Sequence, residues 1–164
     1  MEIKIPYGKT CQTLEIKEEF QLIESKIQEL GKAADEDKIV LDAMASPIAS
    51  PRLRELAAGK KNAVVIISDH TRPVPSKKII PHMLAELREG NPDIDITLLV
   101  ATGCHRGTTP DELVHKLGEA IVSREHTVVH DCDSSPLTDI GPLPSGGCPV
   151  VHSLVAQARL SVPA

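Results

Sequence analysis

Two apolar, β-branched runs constrain this chain more than any other feature: Ala63-Val64-Val65-Ile66-Ile67 and Ile94-Asp95-Ile96-Thr97-Leu98-Leu99-Val100. Successive side chains of a strand point to opposite faces, so a strand apolar at nearly every position is buried on both sides. Thr127-Val128-Val129 is a shorter third run, and Pro149-Val150-Val151 is a possible fourth. Helical patterns separate the first three. Ile79, Ile80, Met83, Leu84 and Leu87 form one apolar face, with Pro81 inside it, so this helix should kink at the proline or start near it. Thr109-Pro110-Asp111-Glu112 reads as a capping box with proline at the first helical position, followed by inward Leu113 and Leu117 and a break at Gly118. Strand, helix, strand, helix, strand predicts an α/β fold: a parallel Rossmann-like sheet with flanking helices.

The flanking segments are less regular. Residues 1–16 predict a β-hairpin turning at Tyr7-Gly8-Lys9. Residues 17–34 predict a helix with a stripe through Phe20, Ile23, Ile27 and Leu30, ended by Gly31. Residues 42–59 hold a small helix with Ser50 as cap, Pro51 at its first position and Gly59 as stop. Ser134–Pro149 reads as a long loop. The 164 residues suit one domain.

Composition excludes several partners. With a single Phe, a single Tyr and no Trp, the chain lacks platforms for stacking single-stranded bases. The net charge is −5, and basic residues cluster only in pairs such as Lys60-Lys61 and Lys77-Lys78, which argues against nucleic acid and anionic membrane. No stretch approaches the roughly 18 apolar residues of a membrane span, and the N-terminus lacks an export signal. The expected location is cytoplasmic. Cys11, Cys104, Cys132 and Cys148 form no CxxC pair and are expected to be free thiols.

Ligands of such sheets bind outside the carboxyl ends of the strands. Those positions carry Ser68-Asp69-His70-Thr71-Arg72-Pro73-Val74-Pro75, Ala101-Thr102-Gly103-Cys104-His105-Arg106-Gly107 and His130-Asp131-Cys132-Asp133. Histidine and arginine at successive strand ends point to a polar site. Each residue also has a plainer role open to it. Asp69 can cap the next helix, and Arg72 can be a solvated charge, although its planar fork suits a carboxylate. His105 can be a surface histidine or an acid/base beside the permissive Gly103. Cys104 and Cys132 are expected to be small buried residues, and His130 and Asp131 to pair across a turn. A metal site of Cys104, His105, His130 and Cys132 lacks zinc-like spacing. There is no GxGxxG or GxxxxGK[ST] motif.

Asp69-His70-Thr71-Arg72-Pro73-Val74-Pro75, Ala101-Thr102-Gly103-Cys104-His105-Arg106, Glu112 and His130-Asp131-Cys132 together resemble, in order and spacing, the N-terminal region of nickel-pincer lactate racemases. The likeness includes Ile5-Pro6-Tyr7-Gly8-Lys9 and runs over roughly residues 3–158. It implies a 2-hydroxyacid (lactate-type) racemase, an isomerase in which a nickel-pincer nucleotide takes hydride from substrate C2 and returns it to either face. By resemblance His105 is one of two acid/base histidines, Arg72 grips the substrate and Asp69 supports them. Thr71, Thr102 and Gly103 are candidates to lie near the cofactor. The second catalytic histidine, the cofactor lysine and the nickel-binding histidine of the family lie beyond the matched region. A larger two-domain protein with a C-terminal region is therefore implied. Arg159 also stands where the family usually has an acid. By itself the 164-residue chain is expected to hold no metal and no pincer cofactor, and not to racemise. A non-catalytic module that binds a small carboxylate or assembles with a partner is the alternative.

Overall fold

The structure, a computed structural model, describes residues 2–17, 19, 21, 23, 25–27, 31 and 35–164. The chain divides into two compact units, residues 1–34 and 35–164. In the first, β1 (Glu2–Tyr7) and β2 (Thr10–Glu15) pair antiparallel, with Glu2 opposite Glu15 and Tyr7 opposite Thr10. The hairpin turns at Gly8-Lys9, as the sequence predicts. Of the helix expected over 17–34, Phe20 and Leu30 lie outside the described residues; the residues described there are not α-helical, and Ile23 and Ile27 are exposed.

The second unit runs α1 (Glu36–Ala45), α2 (Leu53–Ala57), β3 (Asn62–Ser68), α3 (Ser76–Gly90), β4 (Asp95–Ala101), α4 (Pro110–Leu117), α5 (Glu119–Arg124), β5 (His126–Val129), β6 (Leu137–Asp139), β7 (Val150–His152), α6 (Ser153–Gln157) and β8 (Ser161–Pro163). Its main sheet has the order β5-β4-β3-β8, and every neighbouring pair is parallel. Ala63, Val65 and Ile67 of β3 and Ile96, Leu98 and Val100 of β4 join one core with Ala57 of α2, Leu117 of α4 and the α3 face Ile80, Met83, Leu84 and Leu87. Val64 and Leu99, at the alternating positions that point to the opposite face, are buried too. Burial on both sides is the reason these strands are apolar throughout.

Helix α3 begins at Ser76 and passes through Pro81. The proline forgoes a hydrogen bond to the Lys77 carbonyl, and the apolar face on either side of it holds the helix against the sheet. Near its end α3 crosses α2 closely: a methyl at Gly90 would sit 1.9 Å from the Arg54 carbonyl oxygen, so only glycine fits there. Arg88 then forks onto the buried Glu125 at 2.7 and 3.0 Å, joining α3 to the residue before β5.

Three expectations are refined, among them the loop over 134–149, which contains β6. The small helix within 42–59 forms as α2 and ends before Gly59, but it starts at Leu53 with Arg52, not Ser50, as its cap; α1, which ends at Ala45, precedes it. The α1 boundary is set by Asp35, whose side chain accepts from the Lys38 amide. The run at 149–151 does form a strand, β7, but it pairs antiparallel with β6 and stays out of the main sheet. The fourth parallel strand is β8, a three-residue edge containing a proline, which is too short to show as an apolar run. Helix α5, immediately after Gly118, was likewise hidden by its brevity.

Leu98 is fully buried in the centre of the sheet, whereas Ile140 is 55% exposed. Leu98→Ala should lower the unfolding free energy by roughly 2–5 kcal/mol, and Ile140→Ala should stay within about 0.5 kcal/mol of the parent. Urea denaturation followed by circular dichroism checks both.

Candidate functional site

Two tight turns bring the site together at the carboxyl edge of the sheet. Ser68 and Ala101 are partners in the β3–β4 register, so the segments leaving them start side by side. After β3 the Arg72 amide donates to the Asp69 carbonyl at 3.3 Å. After β4 the His105 amide donates to the Thr102 carbonyl at 3.1 Å, with Gly103 at φ 59°. Only glycine adopts that conformation without strain. Thr102 is buried and anchors the second turn to β5 by donating its hydroxyl to the His130 carbonyl at 2.7 Å.

Asp69 is the centre of the arrangement. It is 2% exposed, and its two oxygens have separate tasks. Oδ1 accepts from the Thr71 amide at 3.0 Å and from the Thr71 hydroxyl at 2.7 Å. Oδ2 lies 2.6 Å from Nδ1 of His105. The carboxylate therefore caps no helix; Pro75 occupies the cap position of α3. Burial pushes its pKa up, but the hydrogen bonds from Thr71 and His105 outweigh burial and hold it well below the usual carboxylate range. A charged acceptor at this distance selects the His105 tautomer protonated at Nδ1, which leaves Nε2 available for proton exchange. The His105 side chain is 46% exposed, so its Nε2 edge is open to solvent.

The two arginines differ in what they already hold. Arg106 forks onto Glu112 at 2.6 and 2.9 Å. Glu112 also accepts from the Thr109 amide, closing the expected capping box, and with Arg106 as the main cause its pKa is lowered to about 2. Arg72 is exposed, and its guanidinium has no hydrogen-bond or ion-pair partner among the described residues. It lines a cleft of about 820 Å³ together with Thr71, His115 and Lys116. Lys116 belongs to none of the strand-end motifs. Its signal was the spacing: three residues after Leu113, it falls on the inward stripe of α4.

Elsewhere the plain readings change. Cys104 and Cys132 are exposed, not buried. All four thiols are free, as expected. His130 packs edge-on against His152, ring centroids 5.6 Å apart, and interacts with Asp131 only through its charge, without a hydrogen bond. Asp131 spends its carboxylate on the Asp133 amide. Cys104, His105, His130 and Cys132 do not come together as a metal site. Among the described residues the one trio of donors close enough to share an ion is Asp131, Cys132 and Asp133, on an exposed turn. Also among the described residues, no helix is long and apolar enough to cross a membrane.

A parallel α/β sheet with a carboxylate–imidazole pair and an unpaired arginine at its carboxyl edge defines the class: a Rossmann-like α/β domain with a polar cluster at the carboxyl ends of its strands. The chain belongs to the lactate racemase N-terminal domain family, whose model matches residues 7–163. It is 43% identical over 163 residues to the lactate racemases of Thermoanaerobacterium thermosaccharolyticum and Lactiplantibacillus plantarum, covering 98% of this chain in each case. The structure of the lactate racemase apoprotein from the former superposes with a TM-score of 0.80 at 42% identity, over 99% of this chain. The chain spans 38% of the length of each of these relatives.

The depressed carboxylates give a pH prediction. A group whose folded pKa lies below its unfolded value stabilises the fold above that unfolded value, about 4, and the contribution is lost as pH falls through the folded value. The chain should therefore lose stability steadily as pH drops below about 4. Asp69→Asn and Glu112→Gln should each flatten that acid limb, read as urea midpoints at pH values of about 5 and about 3. An unchanged acid limb in Asp69→Asn would show that the Thr71 and His105 hydrogen bonds do not depress this carboxyl.

Proposed function

We propose that this chain is the N-terminal part of a 2-hydroxyacid racemase of the lactate type, in which Arg72 holds the substrate carboxylate and His105 exchanges the hydroxyl proton. The observation that carries this reading is the 2.6 Å contact of His105 with the buried Asp69, three residues from an arginine whose fork is unspent. Racemisation at C2 requires the C2–H bond to break, its hydride leaving to an acceptor outside this chain's residues, while the hydroxyl loses its proton and the C2–O bond gains double-bond character; hydride and proton are both restored afterwards. His105 exchanges the proton through Nε2, while Asp69 fixes the ring and stabilises the imidazolium that forms. Arg72 supplies two parallel hydrogen bonds to the carboxylate, which orients C2. The four free thiols accord with a cytoplasmic setting.

The nickel-pincer nucleotide implied by the resemblance does not fit the described residues of this chain. The Thr71 and Thr102 hydroxyls, expected near it, are spent on Asp69 and on the His130 carbonyl. The Asp131-Cys132-Asp133 trio is exposed, and the Cys132 thiol is pushed up by desolvation and by Asp133. On this reading the cofactor rests on residues outside this chain.

Two outcomes test the assignment. The 164-residue chain alone should bind no stoichiometric nickel by metal analysis and should not interconvert lactate enantiomers; tight one-to-one nickel would contradict it. In a full-length racemase carrying this segment, His105→Ala should lower turnover by about 10²–10⁴-fold with cofactor loading intact. Arg72→Ala should raise the apparent KM as well as lower the rate, and Arg72→Lys should restore it only in part. Near-normal turnover of a fully loaded His105→Ala enzyme would make His105 a loop residue without a catalytic part.

A further inference from the structure

Lys116 takes no part in the chemistry above, yet its position is costly. It is 8% exposed on α4, its Nζ donates to the Arg72 carbonyl at 3.2 Å, and no carboxylate among the described residues pairs with it. A buried cation without a counter-ion is unfavourable. Accordingly burial pushes the ammonium pKa down, opposed only by the charge of Asp69, which already serves Thr71 and His105. The same cleft receives the unpaired Arg72 side chain. Of the other cations lining it, Lys78 is answered by Glu36 at 3.5 Å, and Lys77 is exposed at the start of α3. An anion between Arg72 and Lys116 would answer the guanidinium and the one buried cation of the cleft.

We propose that Lys116 is a second cationic contact for the carboxylate of a small 2-hydroxyacid, reaching it from α4 while Arg72 holds it from the loop after β3. This rests on the reading of the cleft given above. The ammonium has three donors, of which the Arg72 carbonyl uses one. A carboxylate gripped bidentately by Arg72 keeps further lone pairs for the other two. The Arg72 carbonyl contact also couples the residues: the backbone that carries the guanidinium is held by the amine that shares its ligand.

The test is an NMR titration of this chain with lactate, with the neutral lactamide and with inorganic phosphate. Lactate should bind and lactamide should not. Lys116→Met, which fills the same space, and Lys116→Gln, which keeps a donor for the Arg72 carbonyl but not the charge, should each weaken lactate binding about tenfold or more. Arg72→Ala should do the same. Thermal unfolding tracks whether each variant stays folded; if Lys116→Met does not, Lys116→Gln decides. Full lactate affinity in Lys116→Gln would make the amine a strut for the Arg72 backbone and overturn the proposal. If Arg72→Ala still weakened binding in that case, the carboxylate reading of Arg72 would stand alone. No lactate binding by the unsubstituted chain, or binding indifferent to both residues, would overturn the two together. Phosphate bound in preference to lactate and lost in Lys116→Gln would reassign the cleft and equally overturn the carboxylate.

Discussion

A buried negative charge organises this edge of the protein. Asp69 has almost no access to water, so its charge has to be answered from within. Thr71 answers one oxygen from the same turn and His105 answers the other from the next strand's turn. The carboxylate therefore joins the two loops that a parallel β3–β4 pair delivers side by side. Without that charge, His105 would be a half-exposed side chain on a glycine turn with nothing to fix its tautomer or its ring plane.

Allocation of charges around this centre separates scaffold from site. Arg106 and Glu112 neutralise each other while closing the start of α4. Arg88 and Glu125 do the same between α3 and the entry to β5. These pairs are complete. Arg72 and Lys116 carry charges that no carboxylate among the described residues answers, and both line one cleft. Unanswered charge on a held backbone is what a small anion needs for recognition.

The central sheet was legible because doubly buried strands must be apolar at both alternating sets of positions, and β3 and β4 announce themselves that way. The start of α4 was legible because a capping box is a local code; Thr109 and Glu112 form it as read. The edge strand β8 and helices α1 and α5 were not, since their boundaries depend on single caps or on pairing with a distant strand. In the site, Asp69, Arg72 and His105 were read from motifs at strand ends. The motif could not tell that Asp69 binds His105 rather than capping a helix, because that depends on the relative position of two turns 36 residues apart. Lys116 stayed hidden because its charge reads as solvated, although its spacing from Leu113 places it on the inward stripe of α4.

The account turns on one bond, from Nδ1 of His105 to Oδ2 of Asp69. Nitrogen-15 NMR of the imidazoles, taken where His105 is neutral, reports it directly. The account predicts that His105 is locked with its proton on Nδ1 and that Asp69→Asn releases it to the averaged tautomer mixture of a solvated histidine. A His105 protonated on Nε2, or one already averaged in the parent and unchanged by Asp69→Asn, would contradict it.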